Sequence, residues 1–295
     1  MSLHEVGVAV VEPPRMLTPQ APGWREYADP LALARNLWRH RGLIRQLAWR
    51  EVRGRYQGTR FGLVWSVLTP LLMLLVYTFV FNFVLKVRWG VAPQETALEF
   101  ALTLFCGLAV YNVFAETVGR APGLIIAHPN FVKKVVFPLE VLPVSALLAA
   151  LVHALMGLVL VGVLAACFVR APGWPVLLVP LLLVPYLCFI LGLSWFLASL
   201  GTFLRDLGPG LTVALHLLIF LTPVFYPLHA VPPPWRWVLL MNPLTVYVEN
   251  TRQVLVWGTP PGLLALTVAA VLSLLVMQAG YIWFMKSKRA FADVV

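Results

Sequence analysis

Polar and apolar positions along the chain separate into long blocks rather than short alternating runs. The 25 residues from Phe61 to Leu85 carry no charged side chain. Crossing a hydrocarbon layer of about 30 Å takes about 20 helical residues, so this block reads as a membrane span. Comparable blocks run from Phe100 to about Val118, Val141 to Val169, Trp174 to Leu204, Leu207 to about Tyr226, and Gly262 to Met285. The pattern predicts an all-α polytopic membrane protein with six transmembrane helices. The second is shorter and more polar, with Glu116 near its end. Pro70, Pro180 and Pro185 fall inside blocks, where neighbouring helices can satisfy the carbonyl groups that proline frees.

Three stretches carry a different pattern. Residues 31 to 56 place Ala34, Leu37, Trp38, Ile44, Ala48 and Val52 at helical spacing, with Arg35, Arg39, Arg45, Arg50 and Arg53 mostly elsewhere around the helix. This predicts a basic amphipathic helix in the inner membrane interface, with Gly42 as a point of breakage. The stretch from Arg120 to Glu140 is the longest internal cytoplasmic connection. Residues 226 to 261 are too apolar for a solvated loop and too interrupted by proline for a span. They read as re-entrant outer-face helices, because irregular backbone at membrane depth must be buried in protein or face water. Within them Asn242-Pro243 predicts a cap and a first-turn proline, opening a short helix through about Val256. Glu249 and Arg252, three positions apart, can pair on that helix.

Charge sets the orientation. Six spans put both termini on one side, and 17 of the 22 Lys and Arg fall on that side. By the positive-inside rule both termini are cytoplasmic. With 60% apolar and 12% charged residues, the chain has about half the charged fraction of a soluble domain. This excludes a soluble enzyme, a disordered chain, a secreted disulfide scaffold and a nucleic-acid binder. Ten Arg among the first sixty residues, with no apolar run for a signal core, predict no cleavable signal peptide. Cys106, Cys167 and Cys188 lie in apolar runs and read as buried, inert thiols.

Little of the chain points to catalysis. No GxxxxGK[ST], HExxH or GxSxG pattern occurs, so no catalytic or metal-binding residue is assigned. Ionisable groups within the spans are Glu116, His153 and His216. The histidines read as helix–helix hydrogen-bonding groups and Glu116 as an ion-paired neighbour of Arg120. No carboxylate sits near a span centre to relay protons. The pattern describes a transport channel without its own engine. Among the aromatics, Trp65, Trp89, Trp174, Trp235, Trp237 and Trp283 read as an interfacial belt. Tyr77, Phe81, Phe225 and Tyr226 carry two readings: ordinary lipid-facing packing, or a path on which ring faces stack against sugars.

Certain segments are more specific. The run REVRGRYQGTRFGLVW (residues 50–65), continuing through Pro70 to VYTFVF, is one. NFVKKVVFPLEVLP (residues 130–143) is another. Arg205-Asp206, TPVFYP (residues 222–227), Val231-Pro232 and Asn242-Pro243-Leu244 complete the set. Over roughly residues 31 to 289 the chain resembles permease subunits of ATP-binding-cassette exporters for polysaccharides and polyol phosphates. The resemblance implies a homodimer in the bacterial cytoplasmic (inner) membrane that binds two copies of a separate ATPase subunit. That partner would hold ATP and Mg, leaving this chain without a cofactor and non-enzymatic. The implied cargo is a lipid-linked glycan; O-antigen, capsule and teichoic acid export all occur in the group. A permease for small lipids or drugs is the competing transport reading. A membrane glycosyltransferase would need an acidic motif in a sizeable outer loop, where only Glu95, Glu99 and Glu249 are available.

The resemblance also distributes roles. Asn130, Phe131, Val132, Lys133, Lys134, Val135, Phe137, Arg205 and Asp206 would couple to the ATPase, with Ile126 to Glu140 forming a short docking helix. Arg50, Arg53, Arg55 and Arg60 are candidates for a lipid headgroup or pyrophosphate, although positive-inside topology and anchoring to membrane lipids account for the same charges. The organisation expected is an N-terminal extension (1–30), an interfacial helix (31–60), a six-span permease domain (61–289) and a cytoplasmic tail (290–295). Because the chain carries no phosphate-binding loop, the purified chain alone should release no phosphate from ATP above a mock-purified control. Specific turnover by the isolated chain would overturn this reading.

Overall fold

The amphipathic stretch folds as two helices, Pro30–Arg39 (α1) and Arg41–Tyr56 (α2). Asp29 caps α1, its carboxylate accepting from the Leu31 amide at 2.9 Å, with proline in the first turn where no amide partner is needed. The break falls at His40 rather than Gly42. The His40 amide reaches back to the Asn36 and Leu37 carbonyls and closes α1 there. Leu33, Ile44, Leu47, Ala48 and Val52 are buried, while Trp38 is exposed. This computed structural model describes residue 27 and residues 29–56, 62–90, 95–133, 137–169 and 173–294. No strand occurs among the described residues.

The chain continues as Gly62–Thr78 (α3) with a π-helical turn Phe79–Val84, Ala97–Arg120 (α4), Pro129–Val132 (α5), Val141–Phe168 (α6), Val179–Phe203 (α7) and Leu207–Leu218 (α8). Pro233–Leu240 (α9), Pro243–Arg252 (α10), Leu263–Ser287 (α11) and Phe291–Val294 (α12) follow. Among the described residues, four segments are long and apolar enough to cross a bilayer: Ala97–Gly123, Val141–Phe168, Trp174–Phe203 and Leu263–Val294. Leu71–Val84 and Leu207–Leu218 are shorter apolar helices. The fifth apolar block is therefore not one continuous helix. Its 12-residue α8 extends only about 18 Å, and the chain then turns through residues 219–226. Pro223 has no amide to offer the Ile219 carbonyl, so the helix cannot run on through it. His216 lies on the exposed side of α8.

The most polar block forms the most buried helix. A Thr96–Glu99 capping box opens α4: the Thr96 hydroxyl accepts from the Glu99 amide at 3.2 Å, and the Glu99 carboxylate from the Thr96 amide at 2.9 Å. Most of Phe100 to Val118 is then buried, Thr103 and Thr117 included. A helix surrounded by protein can carry polar groups that a lipid-facing one cannot. By contrast α6, α7 and α11 expose Leu, Val and Phe along their lengths. Where α7 crosses α11, a Cβ on Gly280 would sit 2.0 Å from the Gly192 carbonyl oxygen. The two backbones touch, as small residues permit in membrane bundles.

Between α8 and α11 the expected cap is present: Asn242 accepts from the Leu244 amide at 3.0 Å and donates to the Thr222 hydroxyl at 2.9 Å. The α-helix ends at Arg252, passes into a π turn Gln253–Trp257 and stops at Gly258 in left-handed backbone (φ 62°). Glu249 and Arg252 pair at 3.0 Å, as their spacing suggests. Arg252 is fully buried, so it is no solvent-facing charge. Its Nε donates to the Thr103 carbonyl at 3.0 Å, and its two terminal nitrogens to the Pro223 and Val224 carbonyls at 2.6 Å each. The Trp89 ring covers the guanidinium at 4.2 Å. Trp89 is thus buried inside the protein and leaves the expected belt, whereas Trp174, Trp235, Trp237 and Trp283 are exposed; the Trp65 side chain lies outside the described residues. Of the thiols, Cys106 is buried and Cys188 half-buried, but Cys167 is exposed, two positions from the buried Ala165 of α6.

Gly107 makes room for this arrangement: a Cβ there would lie 2.3 Å from an Arg252 terminal nitrogen. Arg252→Met should strand the Glu249 charge and three carbonyls, a loss of about 3–5 kcal/mol for a broken buried pair. Gly107→Ala should destabilise in the same direction by displacing the guanidinium. Heating a detergent-solubilised fluorescent fusion and following its monodisperse fraction measures both. A midpoint unchanged in Arg252→Met would remove the residue from its structural role.

Candidate functional site

The connection between α4 and α6 opens with a 3-10 turn, Ala121–Gly123, whose Pro122 backbone is pressed against Gly201 of α7. Among the described residues, the expected helix from Ile126 to Glu140 is reduced to the single turn α5. Proline begins it at position 129, and Pro138 biases Phe137 toward extended backbone. Phe131 stacks on His128 (ring centroids 5.4 Å apart) and on Phe137 (4.2 Å). Val132 is buried, while Asn130 and Lys133 are exposed; Lys134 and Val135 lie outside the described residues. Arg205 and Asp206 are exposed in the turn between α7 and α8, just beyond the Gly201 contact. Most of the expected coupling residues that are described therefore sit at the Pro122–α7 end of the bundle, on a buried apolar footing of Ala121, Ile125, Val132, Leu139 and Trp195.

Sequence reasoning missed the polar centre of this end. Glu140, 4% exposed, accepts from Asn36 of α1 at 3.0 Å and from the Lys288 ammonium at 2.7 Å, and its backbone carbonyl accepts from the Trp195 indole at 3.0 Å. Asn36 also donates to the Tyr281 hydroxyl at 3.2 Å. Burial alone would raise the Glu140 pKa, but Lys288 and Asn36 outweigh it and hold the carboxyl below its ordinary value. Its partners stand 104 and 148 positions away, beyond any local pattern. A second ion pair joins the interfacial helix to the bundle: Arg120, next to Glu116 (3.9 Å) as expected, also reaches Glu51 of α2 at 3.1 Å.

An apolar groove of about 1300 Å³ runs between α1–α2 and the start of α6, with Leu37, Ile44 and Ala48 facing Val144, Leu148 and Leu155. At its edge Arg39, Arg41 and Arg45 enclose a recess of about 470 Å³ beside Gly42. Arg50 and Arg53 are exposed farther along α2, Arg53 lying over the Trp49 ring at 5.1 Å. The Arg55 side chain and Arg60 lie outside the described residues.

The aromatic candidates come together, but on one another. Phe81 and Phe225 stack with centroids 5.0 Å apart and planes 6° from parallel, and Tyr77 meets Phe225 edge-on at 5.4 Å. Phe225 is buried; the Tyr226 hydroxyl donates to the Phe220 carbonyl. One face each of Phe81 and Phe225 is therefore taken by the other ring.

Three relatives resemble the chain over most of their length. The O-antigen export system permease protein RfbA of Myxococcus xanthus is 29% identical over 267 residues, covering 90% of this chain and 100% of the relative. An O-antigen export system permease protein RfbA of Klebsiella pneumoniae is 28% identical over 71% of this chain and 78% of its own. The polysialic acid transport protein KpsM of Escherichia coli is 25% identical over 73% and 81%. Residues 42–256, from the middle of the interfacial groove to the π turn after Arg252, match the family described as ABC-2 type transporter. The chain belongs to this family of transporter membrane proteins.

Proposed function

We propose that this chain is the channel-forming permease subunit of an exporter that carries a lipid-linked polysaccharide across the bacterial inner membrane, powered by a separate ATPase. The observation that carries the reading is similarity along the entire length of an O-antigen export permease. Composition and pattern support it: long apolar helices, a basic interfacial face and no phosphate-binding loop. In this reading two copies of the chain form the channel, each engaging one of two ATPase copies, which hold ATP and Mg. Six spans with both termini inside, and re-entrant packing of α9 and α10 at the outer face, complete the topology.

Within it, Asn130, Phe131, Val132, Lys133, Phe137, Arg205 and Asp206 form the coupling surface, with Lys134 and Val135 continuing it. The stack of Phe81 on Phe225, with Tyr77 and Tyr226 beside it, is the closed condition of the glycan path. The groove takes the lipid chain of the substrate, and its arginine recess takes the phosphate groups: an apolar slot ending in three guanidinium groups suits an amphiphile with a doubly anionic head. The arginines at positions 50, 53, 55 and 60 would extend that basic track. KpsM is named for polysialic acid transport, so capsule export is the alternative within the same class.

Two measurements test these assignments. Phe131→Asp places a charge in the stack of His128, Phe131 and Phe137, and should abolish copurification of the ATPase while the chain still accumulates in membranes. Undiminished copurification would move docking to another surface. In detergent, an isoprenyl diphosphate should quench the fluorescence of Trp38 and Trp49 at the groove, and the matching isoprenol should not. Replacing Arg39, Arg41 and Arg45 with Gln should weaken the diphosphate response at least tenfold. Equal titrations of the triple variant and the natural chain would discard the recess as a headgroup site.

A further inference from the structure

Glu140 occupies an unusual mechanical position. It is the last residue of the α4–α6 connection and immediately precedes the first residue of α6. Both carboxylate oxygens and the backbone carbonyl are engaged, each by a different part of the chain: Asn36 of α1, Lys288 beyond α11, and Trp195 of α7. Tyr281 closes a loop of contacts, accepting from Asn36 and meeting the Trp195 ring edge-on at 5.1 Å. The Lys288 end is itself held, because Phe291 three residues on is fully buried against Phe284 and Phe203. The described remainder of the connection is held mainly by apolar side chains and stacked rings, contacts that tolerate sliding. A buried, hydrogen-bonded ion pair does not slide: separating its members leaves an uncompensated charge in a low-dielectric site.

We propose that Glu140 is a positioning residue for transport, the joint through which displacement of the 121–140 connection passes to the interfacial helix by way of Asn36 and to α11 by way of Lys288. The inference rests on the reading that this connection receives force from the ATPase, and it adds where that force goes. One carboxylate binds both destinations, so α1 and the end of α11 move with the connection as one body.

Glu140→Gln retains shape and the bond from Asn36 but removes the charge that holds Lys288. The test uses a strain lacking the chromosomal gene, complemented with tagged chain and its ATPase. Copurified ATPase, vanadate-sensitive ATP hydrolysis in isolated membranes, and total hexose extracted from washed cell surfaces are measured together. Glu140→Gln should keep copurification and hydrolysis within twofold of the natural chain while surface hexose falls at least fivefold. The exchange Glu140→Lys with Lys288→Glu should recover at least half of the loss. Unchanged hexose would overturn the proposal, as would loss of copurification or a proportional fall of hydrolysis and hexose, which a docking or purely structural role would give. If Glu140→Gln does not accumulate in membranes, Asn36→Ala and Lys288→Met are judged by the same criteria.

A readout independent of cargo separates this proposal from the glycan reading. Spin labels at Trp38→Cys on α1 and Asn130→Cys on the connection should keep one spacing when ATP and vanadate trap the complex. In the Asn36→Ala background, which cuts the tie to α1, the spacing should shift or broaden on trapping. Identical distributions in both backgrounds would discard the joint, whereas failure of the natural chain to restore surface hexose would discard only the glycan assignment.

Discussion

A guanidinium with no exposure to solvent organises one end of this bundle. A buried charge is tolerated only when nearly all of its donors are used, and Arg252 meets that demand by gathering three carbonyls from two separate segments and the carboxylate of Glu249. Its geometry dictates what surrounds it. Thr103 must present its backbone carbonyl, Gly107 must lack a side chain, and the turn at residues 222–224 must point the Pro223 and Val224 carbonyls inward. Trp89 must lie across the remaining face. The short helices before α11 are consequently fastened to α4 rather than lying loose at a membrane surface.

The opposite end is organised by a carboxylate in place of a cation. Glu140 gathers donors as Arg252 gathers acceptors, and both draw on segments far apart in sequence. Between these two polar centres run α4 and α6, apolar helices packed against each other and long enough to act as struts. Such an arrangement suits a transporter driven from one side. Stiff contacts fix each end of the struts, while α6 and α11 expose Leu and Val on their outer faces. The closed aromatic stack of Phe81 and Phe225 is adjacent to the Arg252 turn, since Val224 supplies one of the carbonyls the guanidinium holds. Movement of that turn necessarily disturbs the stack.

The helices α1 and α2 are tied to the second centre. α1 is held by Asn36 and α2 by the Glu51–Arg120 pair, and between them the apolar groove stays open along α6. Arg39, Arg41 and Arg45 converge because the chain breaks at His40 and restarts at Arg41, which brings residues from the end of one helix and the start of the next to one recess. A continuous helix would keep Arg41 and Arg45 on one face but turn Arg39 away from them.

By itself the sequence determined what depends on neighbours a few positions away. Apolar block length marked the long helices; Asn242-Pro243 marked a helix start; spacing paired Glu249 with Arg252 and Glu116 with Arg120. These are local because helices are built from contacts three or four residues apart. Only the tertiary structure decided which helix is central, and it chose the most polar block, since lipid rejects polar groups that protein neighbours accept. It also turned Arg252 from an apparent outer-surface charge into a buried tie and Trp89 from a belt residue into its cover. It ended the helix expected over residues 126–140 after one turn among the described residues, stacked Phe81 on Phe225, and joined Glu140 to Lys288 across 148 positions. Each of these outcomes depends on which segments meet in space, and hydropathy carries no record of that.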